Sequence, residues 1–166
     1  MSNKFNLVLA VLLVTSLLLA ACQPATPTEA PKVKICQVTD TGGIDDRSFN
    51  ATAWKGVEDA VKELGVEGKY LESQQQTDYE KNLNAFLEEK CDLIVTVGFL
   101  LGDATKASAE ANPDQKYAIV DYSYDPEISN VLGLTFQTDE AAFLAGYAAA
   151  GATKTGKVGT FGGLQI

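Results

Sequence analysis

From Val33 onward the apolar and polar positions follow two alternating periods. Val33-Lys-Ile-Cys-Gln-Val-Thr39 is short and rich in β-branched residues, which predicts a first strand. Between Ser48 and Leu64 the apolar residues Ala53, Trp54, Val57, Ala60, Val61 and Leu64 recur three and four apart, the spacing of one helix face. Gly65 stands just past the last of them, where a helix-ending glycine belongs. Lys69-Tyr-Leu-Glu72 reads as a second strand. A second helix, capped by Thr77 or Asp78, is expected to run to about Glu89 with Leu83, Phe86 and Leu87 inward. Leu93-Ile-Val-Thr-Val97 is a strand almost without polar residues, as expected when helices cover both faces. A polar, Ala-rich helix comes next, from Gly102 to Asn112, and is closed by Pro113. Tyr117–Val120 and Val131–Thr135 read as strands four and five, Asp139–Thr153 as a small-residue helix, and Lys157–Phe161 as a sixth strand. Such alternation of strand and helix demands a mostly parallel sheet with helices on both faces, an α/β architecture.

The residues before Val33 obey a different pattern. Lys4 gives a short positive start, and Phe5 to Leu19 is mostly apolar but shorter than the roughly 20 residues a spanning helix needs. Leu19-Ala20-Ala21-Cys22 then matches a bacterial lipoprotein cleavage box, the small residues lying before the cut. Residues 1–21 are thus expected to be a lipoprotein signal peptide and Cys22 the lipidated residue, its acyl chains anchoring the protein in a membrane. Gln23–Lys32 (QPATPTEAPK) lacks apolar periodicity, so 22–32 reads as a flexible tether. The stretch 33–166 suffices for one domain and is too short for two lobes. The layout implies an exported domain on a lipid leash at the extracytoplasmic face of a cell membrane.

Charge and composition remove several functions. The formal net charge is −9, and loss of the leader takes Lys4 with it. An acidic chain without a basic stripe argues against nucleic acid as partner. There is no histidine, which removes Ser-His-Asp and Cys-His catalysis and the usual zinc ligand sets. No metal and no cofactor is expected. Cys36 and Cys91 fall on two strands expected to be neighbours; they read as two buried small apolar residues, although a disulfide is permitted outside the cytoplasm.

Candidate chemistry gathers where the strands end. In open parallel sheets, ligands bind at the carboxyl ends of the strands. Asp40 lies just past the first strand, either as an acceptor for ligand hydroxyls or ring N–H groups or as a turn former ahead of Gly42-Gly43. Phe49 opens the first helix; it is either a core residue or an aromatic plane facing the crevice. Asn50 beside it could pair two atoms of a purine edge, as Asn does with adenine, or be a polar residue of the first turn. Gly98 and Asp121 end the third and fourth strands on the same rim. An aromatic face with a carboxamide and carboxylates suits a flat, polar, uncharged molecule such as a nucleobase with its ribose. Asp45 and Asp46 read as stabilisers of the helix's amino end. Gly151-Ala-Thr-Lys-Thr-Gly156-Lys157 imitates a phosphate loop, but Val158 stands where Ser or Thr is required and the segment runs from helix to strand, the reverse order. It reads as a turn.

The stretch from Asp40 to Asn50, with the pattern D-x-x-G-I-x-D-x-S-F-N, resembles the basic membrane lipoprotein family, whose members are ABC-transporter substrate-binding lipoproteins that include purine nucleoside receptors. Further matching pieces are Val97-Gly-Phe99, Asn112-Pro-Asp114, Gln137-Thr-Asp-Glu-Ala-Ala-Phe-Leu-Ala-Gly146 and Gly159-Thr-Phe-Gly-Gly163. The resemblance implies a type I periplasmic-binding-protein-like fold, here a flavodoxin-like first lobe only, with the second lobe absent. It also implies roles: Phe49 stacking on the base, Asn50 and Asp121 bonding its edge, Asp40 taking ribose hydroxyls, Gly98 and Phe99 lining the wall. The expected function is a lipid-anchored solute-binding component that captures purine nucleosides and delivers them to an ABC transporter permease, with no catalysis. A receptor for a sugar or other small solute, and a ligand-sensing signalling module, are the alternatives on the same fold. A nucleoside-cleaving enzyme would need Asp40 and Asp121 as an acid/base pair.

Overall fold

The computed structural model describes residues 32–162. Five strands form one sheet: β1 (Lys34–Val38), β2 (Glu67–Leu71), β3 (Leu93–Val97), β4 (Lys116–Val120) and β5 (Val131–Leu134). All neighbours pair in parallel, in the spatial order β2-β1-β3-β4-β5. The helices are α1 (Phe49–Leu64), α2 (Asp78–Glu88), α3 (Gly102–Ala111) and α4 (Thr138–Ala152), with a short 3₁₀ turn over Phe99–Leu101 before α3. The chain moves outward from β1 to β2 and then crosses back to β3 on the other side of β1. The β1/β3 boundary is therefore the point at which the strand order reverses, and in such sheets the crevice beyond the strand ends at this point receives ligand.

The two faces are unequally covered. On one face α2 and α3 close a core of Cys36, Val38, Tyr79, Leu83, Phe86, Ile94, Leu101, Ala109 and Tyr117. The register explains the grouping: Cys36 stands beside Ile94 and Ile94 beside Tyr117, so their side chains leave the same side of the pleat. Two pairs of polar side chains on this face bond to each other. Thr105 Oγ1 donates to Thr96 Oγ1 at 2.9 Å, and the Tyr117 hydroxyl meets Ser108 Oγ at 2.8 Å. On the opposite face α1 buries only Asn50 and Val57 completely. It rests over β2, where a Cβ on Gly68 would come within 2.9 Å of Val57, and where Trp54 meets Tyr70 edge to face at 4.9 Å. Gly65 ends α1 in the left-handed conformation, φ 70°, its N–H donating to Val61 O, as the sequence predicts.

Three expectations require correction. Cys36 and Cys91 are joined in a disulfide with a Cα–Cα separation of 6.0 Å, rather than standing as two free apolar side chains. Cys91 also lies ahead of β3, not on it; it sits on the turn from α2, where its N–H donates to Phe86 O. The sixth strand does not form: residues 157–161 pair with no neighbour among the described residues. A strand exists only through its partner, and β5 remains the edge of the sheet. α4 forms as predicted but buries none of its residues, leaving Phe143, Leu144 and Tyr147 exposed. No described helix is long and apolar enough to cross a membrane. Cys22, the leader and all but the last residue of the tether lie outside the described residues.

Candidate ligand-binding site

The crevice is built by three strand ends. β1 runs out at Val38, and a turn over Asp40–Gly43 carries the chain to α1. Gly43 occupies the left-handed region at φ 73°. Gly42 N–H donates to Asp40 Oδ1 at 2.8 Å, folding the carboxylate back over its own turn. Asn50 Nδ2 donates to the same oxygen at 2.7 Å. Oδ2 of Asp40 faces Gly98 across the β1/β3 boundary, and a Cβ on Gly98 would stand 2.9 Å from it. Gly98 has φ 99°, a conformation that side chains rarely adopt. Both its backbone and the space it leaves for Asp40 therefore require glycine.

Asp46 organises the amino end of α1. Ser48 occupies the helix's capping position but its side chain makes no capping bond. Instead Asp46, two residues earlier, accepts from Ser48 N–H at 2.8 Å, Asn50 N–H at 2.9 Å and Ala51 N–H at 3.0 Å, with Asn50 Nδ2 at 3.2 Å as a fourth donor. These bonds satisfy donors that a helix start otherwise leaves orphaned. Burial opposes the charge on Asp46, yet the backbone donors outweigh it and hold the carboxyl below its ordinary value. A lowered folded-state value means the group stabilises the fold above the unfolded carboxylate range, near pH ~4, and loses that contribution as pH falls through the folded-state value. Asp46→Ala is expected to lower stability by about 1 kcal/mol at neutral pH. The melting temperatures of Asp46→Ala and the parent protein should converge in acid, and a gap that persists below the folded-state value would refute this account. Asp45 is exposed and makes no such bond among the described residues.

Asn50 is 1 % exposed, so its amide is held inside the site, between the two carboxylates. Gln37 Nε2 supports it from β1 by donating to Asn50 O at 3.0 Å. Asn50 Oδ1 has no hydrogen-bond partner among the described residues.

Phe49, the preceding residue, turns the other way. It is 44 % exposed, which is incompatible with a core position. Its ring meets Phe136 edge to face at 5.7 Å, and the two rings, with Ser48, Thr52, Ala53 and Val120, line an open cleft of about 390 Å³. Phe136 was not among the residues singled out from the sequence. It lies just past β5, after Thr135, so the rule that strand ends carry the site applies to it as well.

The remaining candidates are placed on the rim by their strands. Gly98 N–H donates to Val120 O, which ties the end of β3 to the end of β4. Phe99 begins the 3₁₀ turn and is half-buried. Asp121 comes after β4 in the left-handed region, φ 65°, with its N–H donating to Leu134 O at 2.8 Å. Asp tolerates this conformation better than most residues. No hydrogen bond joins the Asp121 carboxylate to the Asp40–Asn50 pair among the described residues. Glu72, at the end of β2, was also missed; its Oε1 accepts from Ile44 N–H at 2.7 Å and fastens the loop between Gly43 and α1.

Comparison with known proteins places this chain in a family. Residues 33–166 match the family described as ABC transporter substrate-binding protein PnrA-like. Basic membrane protein A of Borreliella burgdorferi is 38 % identical over 96 % of this chain and 47 % of its own length. The ABC transporter nucleoside-binding protein BmpA of Lactococcus lactis subsp. cremoris is 38 % identical over 99 % of this chain and 49 % of its own length. Among solved structures, an ABC transporter system solute-binding protein from Aeropyrum pernix K1 superimposes with a TM-score of 0.66 at 34 % identity, covering 71 % of this chain and 32 % of that one. The chain spans about half the length of these curated relatives. With its parallel α/β lobe, its match across the whole sheet and its strand-end crevice, the chain belongs to the PnrA-like family of ABC transporter substrate-binding proteins, a family of binding proteins rather than enzymes.

Proposed function

We propose that the protein is a lipid-anchored receptor at the extracytoplasmic face of a membrane, capturing purine nucleosides and handing them to an ABC transporter permease. The half-exposed Phe49 beside Phe136 carries this reading: an aromatic wall on an open cleft at the strand ends offers a stacking surface to a flat base. Asp40, held by Gly42 and Asn50 and left open at Oδ2, is a pre-oriented acceptor for ribose hydroxyls. Asp121 has a carboxylate without a hydrogen-bond partner among the described residues and supplies a second acceptor for the base edge. Gly98 and Phe99 form the wall between β3 and β4. Asn50 contributes from below, as the residue that fixes Asp40, and its unpaired Oδ1 is the acceptor it can offer.

Two further observations support the export half of the proposal. The Cys36–Cys91 disulfide is of a kind that persists in oxidising compartments. The leader and Cys22 supply the address and the anchor. The relative from Lactococcus lactis is described as nucleoside-binding, which points to the same ligand class.

The test is a calorimetric panel on the full chain, made soluble by Cys22→Ser, with inosine, guanosine, adenosine, cytidine and ribose as ligands. Binding of the purine nucleosides with ribose silent supports the proposal. Binding of ribose or another sugar in their place would make this a sugar receptor, and the stacking role of Phe49 would fall with the nucleoside.

A further inference from the structure

Gln37 is out of place by the rules that govern its strand. β1 lies inside the sheet, between β2 and β3, and a parallel strand covered on both faces is expected to be apolar throughout. Its neighbours Cys36 and Val38 obey and enter the core under α2 and α3. Gln37 leaves the opposite side of the pleat, toward α1, and is 0 % exposed. Its Oε1 has no hydrogen-bond partner among the described residues. A buried amide oxygen without a partner is destabilising, so stability alone would favour an apolar side chain of this size.

The one bond that Gln37 makes does not serve the helix ladder. Nε2 donates to Asn50 O at 3.0 Å. Asn50 is the second residue of α1, and a carbonyl there accepts from the N–H four residues on within the helix itself. The Gln37 bond is an additional one, and what it adds is position. It runs from β1 to the first turn of α1. Asn50 Nδ2 then returns to the end of β1 by donating to Asp40 Oδ1 at 2.7 Å. Gln37 and Asp40 are three residues apart in the chain, so one residue of α1 is gripped from two points along β1. Asn50 is 1 % exposed inside that grip, and Phe49 next to it faces the cleft. Gln37 itself is not among the residues that line the cleft.

We propose that Gln37 is a positioning residue for the ligand site. By holding the Asn50 carbonyl it sets where the Asn50 amide meets Asp40 and where Phe49 stands in the cleft, without touching ligand. The proposal rests on the reading of this crevice as a nucleoside site.

Gln37→Met in the full chain with Cys22→Ser is the experiment, with Gln37→Leu beside it as a second apolar replacement. Three quantities are read: inosine affinity by calorimetry, thermal melting without ligand, and hydrogen exchange of the Asn50 side-chain amide by nuclear magnetic resonance in the free protein. Gln37→Met is expected to bind inosine about tenfold more weakly, to melt no lower than the parent, and to exchange the Asn50 amide about tenfold faster. A residue that merely fills the sheet would leave that exchange unchanged, and this result overturns the proposal. Unchanged inosine affinity, in a parent that binds inosine, overturns it too. Melting temperatures lowered in both variants would make Gln37 a support of the fold, with the same consequence. Should the parent protein not bind inosine, the nucleoside reading fails by itself. The free protein then decides alone: faster amide exchange without loss of stability keeps the grip on Asn50, and unchanged exchange removes it.

Discussion

Replacing Phe49 by alanine in the full chain is expected to weaken binding of inosine and guanosine by roughly tenfold to a hundredfold while leaving the fold intact. The separation of the two effects comes from where the ring sits. Phe49 is 44 % exposed and is no part of the buried core, so its removal leaves no internal cavity. Its contribution falls on the ligand. Stacking of a base on an aromatic side chain contributes ~1–3 kcal/mol by substitution, a loss of roughly tenfold to a hundredfold. Truncation also removes the ring against which Phe136 packs at 5.7 Å, so two of the apolar walls of the cleft are disturbed together. Phe49→Trp preserves a stacking face and should retain binding, which separates a lost ring from a lost shape. Nucleoside affinity left unchanged in Phe49→Ala would sink the stacking role.

The largest effect on stability is expected at the disulfide. Cys36 is on β1 and Cys91 precedes β3, and the bridge closes a loop with a sequence separation of 55 that contains α1, β2 and α2. Constraining a loop of that length in the unfolded chain is worth ~4 kcal/mol in the chain-entropy account, and typical measured values are ~2–4 kcal/mol. Both cysteines are buried and belong to the core cluster that holds Phe86 and Ile94. The double substitution Cys36→Ala and Cys91→Ala is therefore expected to lower the melting temperature by roughly 10 °C. The parent protein in reductant should approach the same value once the bridge opens. Alkylation of the denatured protein with and without reductant supplies the chemical check: two thiols that react without reductant would show that the pair is not bridged.

The rim of the sheet was legible in the sequence because strand ends are marked locally. β-branched runs ending at Val38, Val97 and Val120 announce parallel strands, and the acidic or glycine residue after each falls on one edge whatever the strand order. Gly65 and the three-four spacing of α1 are likewise local signals, and the helix ends where they place it. Capping by Asp46 meets the demand of every helix start for acceptors, although the sequence left open which aspartate would supply it.

Local signals in the chain thus set the order of β and α elements up to α4 and the rim that holds Asp40, Phe49, Gly98, Phe99 and Asp121, because periodicity and turn chemistry act over a few residues. Contacts between distant segments settled the rest, because no short stretch of sequence specifies which segments meet. They brought Phe136 from the end of β5 to the face of Phe49, bridged Cys36 to Cys91, and turned Asn50 inward onto Asp40 while Phe49, its neighbour, faces the cleft. They also withheld a strand from residues 157–161. The alternating pattern there permits a strand, but a strand is stabilised by hydrogen bonds to a neighbour, and none of the described strands supplies that edge.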